Sequence, residues 1–186
     1  MPMASDRKPA LETIGSRVVY ENRWMRVRED RIRRGDGSEG LYGVVEKPDF
    51  VVVAAVQDGL LHLVEQYRYP IGQRQWELPQ GTWETATDAR PEDVARGELR
   101  EETGLLAERI VEAGLLFPFY GTATQGYRIF LATGLTPGDR RPDPEEQDLV
   151  TRAFPLAEVD RMILDGTIRD GTTVASLGML RLRRLI

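Results

Sequence analysis

Three glutamates, Glu98, Glu101 and Glu102, fall within the single stretch Gly97-Glu98-Leu99-Arg100-Glu101-Glu102-Thr103-Gly104. On a helix at about 100° per residue, Glu101 lies near ~300° and Glu102 near ~40° from Glu98, so the three share an arc of roughly 100°. Arg96 and Arg100 project to the opposite side and do not simply neutralise them. Like charges at this spacing weaken an isolated helix by roughly 0.2–0.5 kcal/mol per pair, and the C-terminal half of a helix disfavours anions. An external cation accounts for a sequence that accepts both costs. Oxygen-only ligands select a hard ion, Mg²⁺ with Mn²⁺ as a substitute. Magnesium keeps several waters and shares its other positions with phosphate oxygens, which implies a phosphate ester or anhydride as substrate. A solvated acidic face is the other reading of the same residues taken alone.

The elements that must position this face can be read along the chain. Asp88 and Pro91 mark a helix start, and Glu92 to Thr103 continues it until Gly104. Phe50 to Val56 is a continuous apolar strand buried on both faces, Asp58-Gly59 a two-residue turn, and Leu60 to Tyr67 the returning strand. A loop rich in Pro, Gly and Gln follows, through Trp76-Glu77-Leu78-Pro79-Gln80-Gly81. Ile110 to Leu116, Tyr127 to Thr133 and Leu149 to Phe154 read as strands, Leu156 to Leu164 and Thr172 to Arg184 as helices, and Gly138 to Asp148 as an acidic loop. Upstream, Ser16 to Tyr20, Met25 to Ile32 and Leu41 to Glu46 make a small antiparallel lobe. The expected division is a tail at 1–12, a strand lobe at 13–48 and a catalytic domain at 49–186. Strands, helix, strands and helices in that order imply a mixed sheet with helices on its faces.

Composition narrows the function classes. The chain has 186 residues, 41% of them apolar, enough for one folded domain with a modest appendage. It has no cysteine, which excludes disulfides, thiolate metal sites and a cysteine nucleophile. Its one histidine, His62, sits mid-strand and is assigned no role. A net charge of −5 argues against a mainly electrostatic grip on nucleic acid. No apolar run approaches a membrane span, and Met1 to Leu11 lacks a signal-peptide core. The expectation is a soluble, cytoplasmic protein with no membrane or nucleic-acid partner.

The run from Gly81 to Leu105 resembles the signature of the Nudix hydrolases. Glu98-Leu99-Arg100-Glu101-Glu102-Thr103-Gly104-Leu105 matches its second half, and Gly81 and Glu84 match its first. It departs in two places. The loop from Gly81 to Glu98 is slightly longer than usual, with Thr85 to Arg90 as the insertion. Gly97 replaces an arginine that helps hold the glutamates, a role Arg96 would fill only from an unfavourable direction. The resemblance implies an α+β fold, the α/β/α sandwich of the Nudix family, plus the N-terminal strand lobe. It implies Glu98 and Glu102 as principal metal ligands, Glu101 as a ligand or water-orienting base, and the backbone carbonyl of Gln80 as a further ligand.

Glu65-Gln66-Tyr67-Arg68-Tyr69-Pro70 and Trp76-Glu77-Leu78-Pro79 are similar to the ADP-ribose and nucleoside-diphosphate-sugar pyrophosphatases within that family. So are the N-terminal lobe and Gly166-Thr167-Ile168-Arg169-Asp170 before the last helix. This similarity implies a homodimer that exchanges its N-terminal lobes, which help bind the base. Arg68 would contact the diphosphate, and Glu145, or else Glu146, would supply a further catalytic carboxylate. Glu77 and Glu84 would flank the site and assist a second metal. Trp24 would either stack on a base or fill the lobe as a buried aromatic. Phe117 to Gln125 carries no acid, which leaves room for sugars such as hexoses. The expected activity is Mg²⁺-dependent hydrolysis of ADP-ribose or another nucleoside diphosphate sugar to a nucleoside monophosphate and a sugar phosphate. The alternatives are a dinucleoside polyphosphate or RNA 5′-end pyrophosphohydrolase, suggested by Pro79-Gln80-Gly81, and a non-catalytic nucleotide-sugar sensor.

Overall fold

Charged and apolar side chains mix along residues 11–46 without a long apolar run, as suits strands of a thin sheet. In the structure, a computed structural model describing residues 10–82, 89–140 and 148–186, they form three antiparallel strands. These are β1 (Leu11–Glu21), β2 (Arg26–Arg34) and β3 (Glu39–Glu46), in that order. β1 already starts at Leu11, inside the segment expected to be a tail. Residues 119–125 belong with this unit rather than with the chain on either side of them. The Val45 N–H donates to the Thr122 carbonyl (2.8 Å), and the Thr124 N–H donates to the Val45 carbonyl (3.0 Å). The Tyr42 hydroxyl donates to the Gly121 carbonyl at 2.8 Å.

The second unit comprises Asp49–Pro118 and Gly126–Ile186. Its elements are β4 (Phe50–Gln57), β5 (Leu60–Arg68), β6 (Gln73–Glu77), β7 (Gln80–Gly81), α1 (Pro91–Thr103), β8 (Leu105–Leu116), β9 (Tyr127–Pro137), β10 (Val150–Pro155), α2 (Leu156–Leu164) and α3 (Gly171–Leu182). Among the described residues they make one mixed sheet in the order β10-β5-β4-β9-β8, with β6 on β5 and β7 on β4. β4 and β9 run parallel and the other pairs antiparallel. Asp58 and Gly59 both take positive φ, 52° and 74°, which lets the two-residue turn follow the strand twist.

β4 divides the core by its pleat. Val51, Val53 and Ala55 pack with Val94, Ala95 and Leu99 of α1 on one face. Val52 and Ala54 pack with Val159 and Met162 of α2 and Leu177 and Leu180 of α3 on the other. Both faces are covered, so the mixed-sheet sandwich expected from the sequence is the observed architecture. β6 and β7 lie in what the sequence reads as a loop. Their inward positions include Gln75 and Glu77, at 5% and 2% exposure, so apolar alternation gives no signal there. β8 begins at Leu105, earlier than expected. Among the described residues no helix is long and apolar enough to cross a membrane.

Candidate active site

α1 starts with Pro91 at its first turn, and Glu92 and Asp93 there suit the positive end of the helix dipole. At its other end Gly104 donates its N–H to the Arg100 carbonyl at 2.9 Å. Leu99 is 1% exposed and Ala95 is fully buried, so the helix is held by its apolar face. Glu98 and Glu102, one turn apart, follow them inward, at 7% and 0% exposure. Glu101 is half-buried at the edge of that face. The solvated acidic face is therefore not what forms. Arg96 donates to the Ala107 carbonyl at 2.7 Å and to Glu92 at 3.1 Å, so it does not replace the arginine missing at Gly97.

Burying a carboxylate costs several kcal/mol unless charge and hydrogen bonds compensate. Part of the compensation comes from within the chain. The Gln80 N–H donates to Glu102 Oε2 at 3.3 Å. Burial works against the Arg68 charge, but Glu77 first, then Glu102 and Asp170, favour it. At the helix C-terminus, Arg140 Nε and the Thr151 hydroxyl donate to the Glu102 backbone carbonyl at 2.8 and 3.0 Å. A cation there is favoured by the macrodipole.

The Glu77–Gly81 turn meets this helix and is pinned at successive residues. Arg68 Nε donates to Glu77 Oε2 at 3.0 Å, and Arg68 Nη2 also bonds Glu77 Oε1. Gln66 donates to Glu77 Oε1 at 2.8 Å. Burial pushes the Glu77 carboxyl above the usual range, with Arg68 opposing it. Both Glu77 oxygens accept from protein donors, Arg68 and Gln66. The Leu78 N–H donates to the Thr173 hydroxyl at 2.9 Å, and the Val53 N–H donates to the Pro79 carbonyl at 2.9 Å. Gly81 comes next. A Cβ at that position would lie 2.5 Å from Glu98 Oε2, so any side chain there would displace the Glu98 carboxylate from its present place.

The donor set fits a hard divalent ion. Glu98 and Glu102 present carboxylate oxygens from one helix face, and the gap beside Gly81 is occupied by the Glu98 carboxylate itself. Among the described residues no three acidic side chains already close around a common point. Two carboxylates from one helix face suit a divalent ion that keeps waters and accepts further oxygen ligands. Glu84, Glu145, Glu146 and residues 85–88 of the expected insertion lie outside the described residues.

Comparison with known proteins matches residues 46–177 to the NUDIX domain. The chain is a Nudix hydrolase. Nudix hydrolases generally use a divalent metal ion. Residues 12–45 match the nucleoside diphosphate sugar hydrolase N-terminal domain. An ADP-ribose pyrophosphatase of Mycobacterium tuberculosis is 34% identical over 168 residues, covering 89% of this chain and 81% of that one. One from Bacillus subtilis is 24% identical over 177 residues, covering 94% and 95%. A crystal structure of an ADP compounds hydrolase superposes with a TM-score of 0.84 at 19% identity, covering 95% of each chain, a likeness of fold.

In this Nudix hydrolase the structure brings Gln80, Glu98, Glu102 and Arg68 around one turn, with Glu101 at its margin. Trp24 belongs to the other unit. It is 46% exposed rather than a buried lobe aromatic, and the Arg23 guanidinium lies 4.1 Å from its ring centroid. It lines an open cleft of about 350 Å³ with Asn22, Met25, Glu46 and Lys47. His62 is half-buried on β5, and burial lowers its pKa. Sequence reasoning missed Gln66, Arg140, Thr151, Asp170 and Thr173. For the last two a signal existed. An acid immediately before an apolar helical run is an N-cap pattern, and Asp170 caps the turn that holds Thr173.

Proposed function

We propose that the protein hydrolyses the diphosphate bond of ADP-ribose or a related nucleoside diphosphate sugar. A water oxygen bonds to one phosphorus, the bridging P–O bond breaks, and two phosphate monoesters leave: a nucleoside monophosphate and a sugar phosphate. The observation that carries this reading is the burial of Glu98 and Glu102 against the Gln80–Gly81 turn, where two carboxylates suit a divalent ion and the anionic substrate it brings. The names of the similar pyrophosphatases support the same substrate class.

Glu98, Glu102 and the Gln80 backbone carbonyl are the proposed ligands of Mg²⁺, with Mn²⁺ able to substitute. Bound there, such an ion supplies neutralisation of the diphosphate and acidification of a water. Glu101, at the half-buried edge, acts as a further ligand or orients the attacking water. Arg68 grips Glu77 through its Nε and Nη2 edge, which leaves the Nη1 side to meet a phosphate oxygen. Glu145 or Glu146 supplies a further carboxylate, and Trp24 stacks on the base. The N-terminal lobe carries the contacts of a homodimer, and the cytoplasm is its compartment.

Incubation with ADP-ribose, GDP-mannose and UDP-glucose in Mg²⁺, followed by detection of phosphate monoesters, tests the reading. Release of AMP and ribose 5-phosphate, or the corresponding pair from a hexose substrate, is the expected result. Absence of cleavage across the panel at any Mg²⁺ or Mn²⁺ concentration would reject it.

A further inference from the structure

Leu78 lies between β6 and β7, off the ladder, and is fully buried, so its N–H needs an acceptor that no strand supplies. Thr173, fully buried on the first turn of α3, provides one at 2.9 Å. A threonine hydroxyl can donate or accept, and Asp170 decides which. An ionised carboxylate only accepts, so the hydroxyl proton goes to Asp170 Oδ2 at 2.7 Å and a lone pair is left for Leu78. Asp170 is itself fixed as the helix cap, accepting the Thr172 and Thr173 N–H groups at 3.2 and 2.8 Å. The end of α3 therefore sets the direction of one hydrogen bond to the turn. Two residues further along, the Gln80 N–H reaches Glu102 Oε2. Gly81 then abuts the Glu98 carboxylate.

We infer that Thr173, oriented by Asp170, is a positioning residue for the metal-binding carboxylates. It fixes the Leu78–Gly81 turn against which Glu102 and Glu98 rest, and it touches neither ion nor substrate. The inference rests on the metal-dependent reading above. A side chain of the same shape without the hydroxyl leaves the Leu78 N–H unsatisfied and lets the turn relax away from the carboxylates. Groups that hold metal ligands in place from behind typically change metal affinity or activity by about 10- to 100-fold.

The test is calorimetric titration of Mn²⁺ into the full-length protein, with kcat, KM and thermal melting alongside. Thr173→Val is expected to weaken Mn²⁺ binding at least about tenfold and to lower kcat, with the KM for ADP-ribose within about twofold. Thr173→Ser keeps the hydroxyl and should restore both. Leu177→Val, also buried on α3 but with no hydrogen bond to the turn, should bind Mn²⁺ as the wild type does. Should the valine variant fold poorly, Thr173→Ala against Thr173→Ser makes the same comparison. Wild-type Mn²⁺ affinity in the valine or alanine variant, or equal loss in the serine variant, overturns the inference alone. A wild-type protein that neither binds Mn²⁺ nor cleaves the substrate panel overturns it together with the reading beneath it.

Discussion

The three-stranded sheet and the surroundings of α1 use the same residue types in opposite ways. In the sheet most arginines and carboxylates meet across strands in the open, though Asp30 beside Arg28 is buried at 5% exposure. Arg17 pairs with Glu29 at 2.8 Å, Arg31 with Glu39 at 3.0 Å and Arg33 with Glu12 at 3.3 Å. Most of these side chains stay well exposed, Arg17 at 71%. Such pairs fix register and add at most about 1 kcal/mol each. Around α1 the carboxylates of Glu77, Glu98 and Glu102 are at most 7% exposed. There the loss of hydration is large, and a guanidinium, a backbone N–H and a glycine gap are arranged to meet it.

The contrast can be broken most sharply at Glu102. Glu102→Gln should lower turnover of ADP-ribose about 10²–10³-fold in steady-state assays. Its melting temperature should be unchanged or higher, because a buried charge is gone. Near-normal turnover would put the carboxylate on the same footing as those of the sheet. Gly81→Ala comes next. With a Cβ 2.5 Å from Glu98 Oε2, either the turn or the carboxylate must move, and turnover should fall about 10- to 100-fold.

Arg68→Ala would leave Glu77 buried without its cation. Urea denaturation should show a loss of about 2 kcal/mol, less than for a fully buried pair because Arg68 is 39% exposed. Adding Glu77→Gln should recover part of it, a coupling read from the double-mutant cycle. The smallest effect is expected in the sheet. Arg17→Ala should cost less than about 1 kcal/mol and vanish in about 1 M salt. A loss as large as that at Arg68 would erase the distinction between the two regions.

What could be read from residues alone follows from what each element is made of. β4, β5 and α1 announce themselves because local pattern, turn chemistry and burial agree there. The glutamates are legible because their spacing is set by the helix itself. β6 was hidden because its buried positions hold Gln75 and Glu77, polar groups stabilised by partners distant in sequence. Gln66, Arg140 and Thr151 were hidden for the same reason. Arg140 contacts the Glu102 carbonyl from 38 residues away, and nothing local marks it. An aromatic in a strand lobe suits a core role by type alone, yet Trp24, between β1 and β2 of the three-stranded sheet, is 46% exposed.

Sequence by itself determined the mixed sandwich, the hairpin and three carboxylates on one helical face, since these depend on periodicities of about two and 3.6 residues. The tertiary structure decided which of those carboxylates turn inward, that Glu77 pairs with Arg68, and that Thr173 of α3 accepts the Leu78 N–H. Those outcomes depend on contacts between segments far apart in the chain, where burial and hydrogen-bond satisfaction are settled by packing and leave no local period to read.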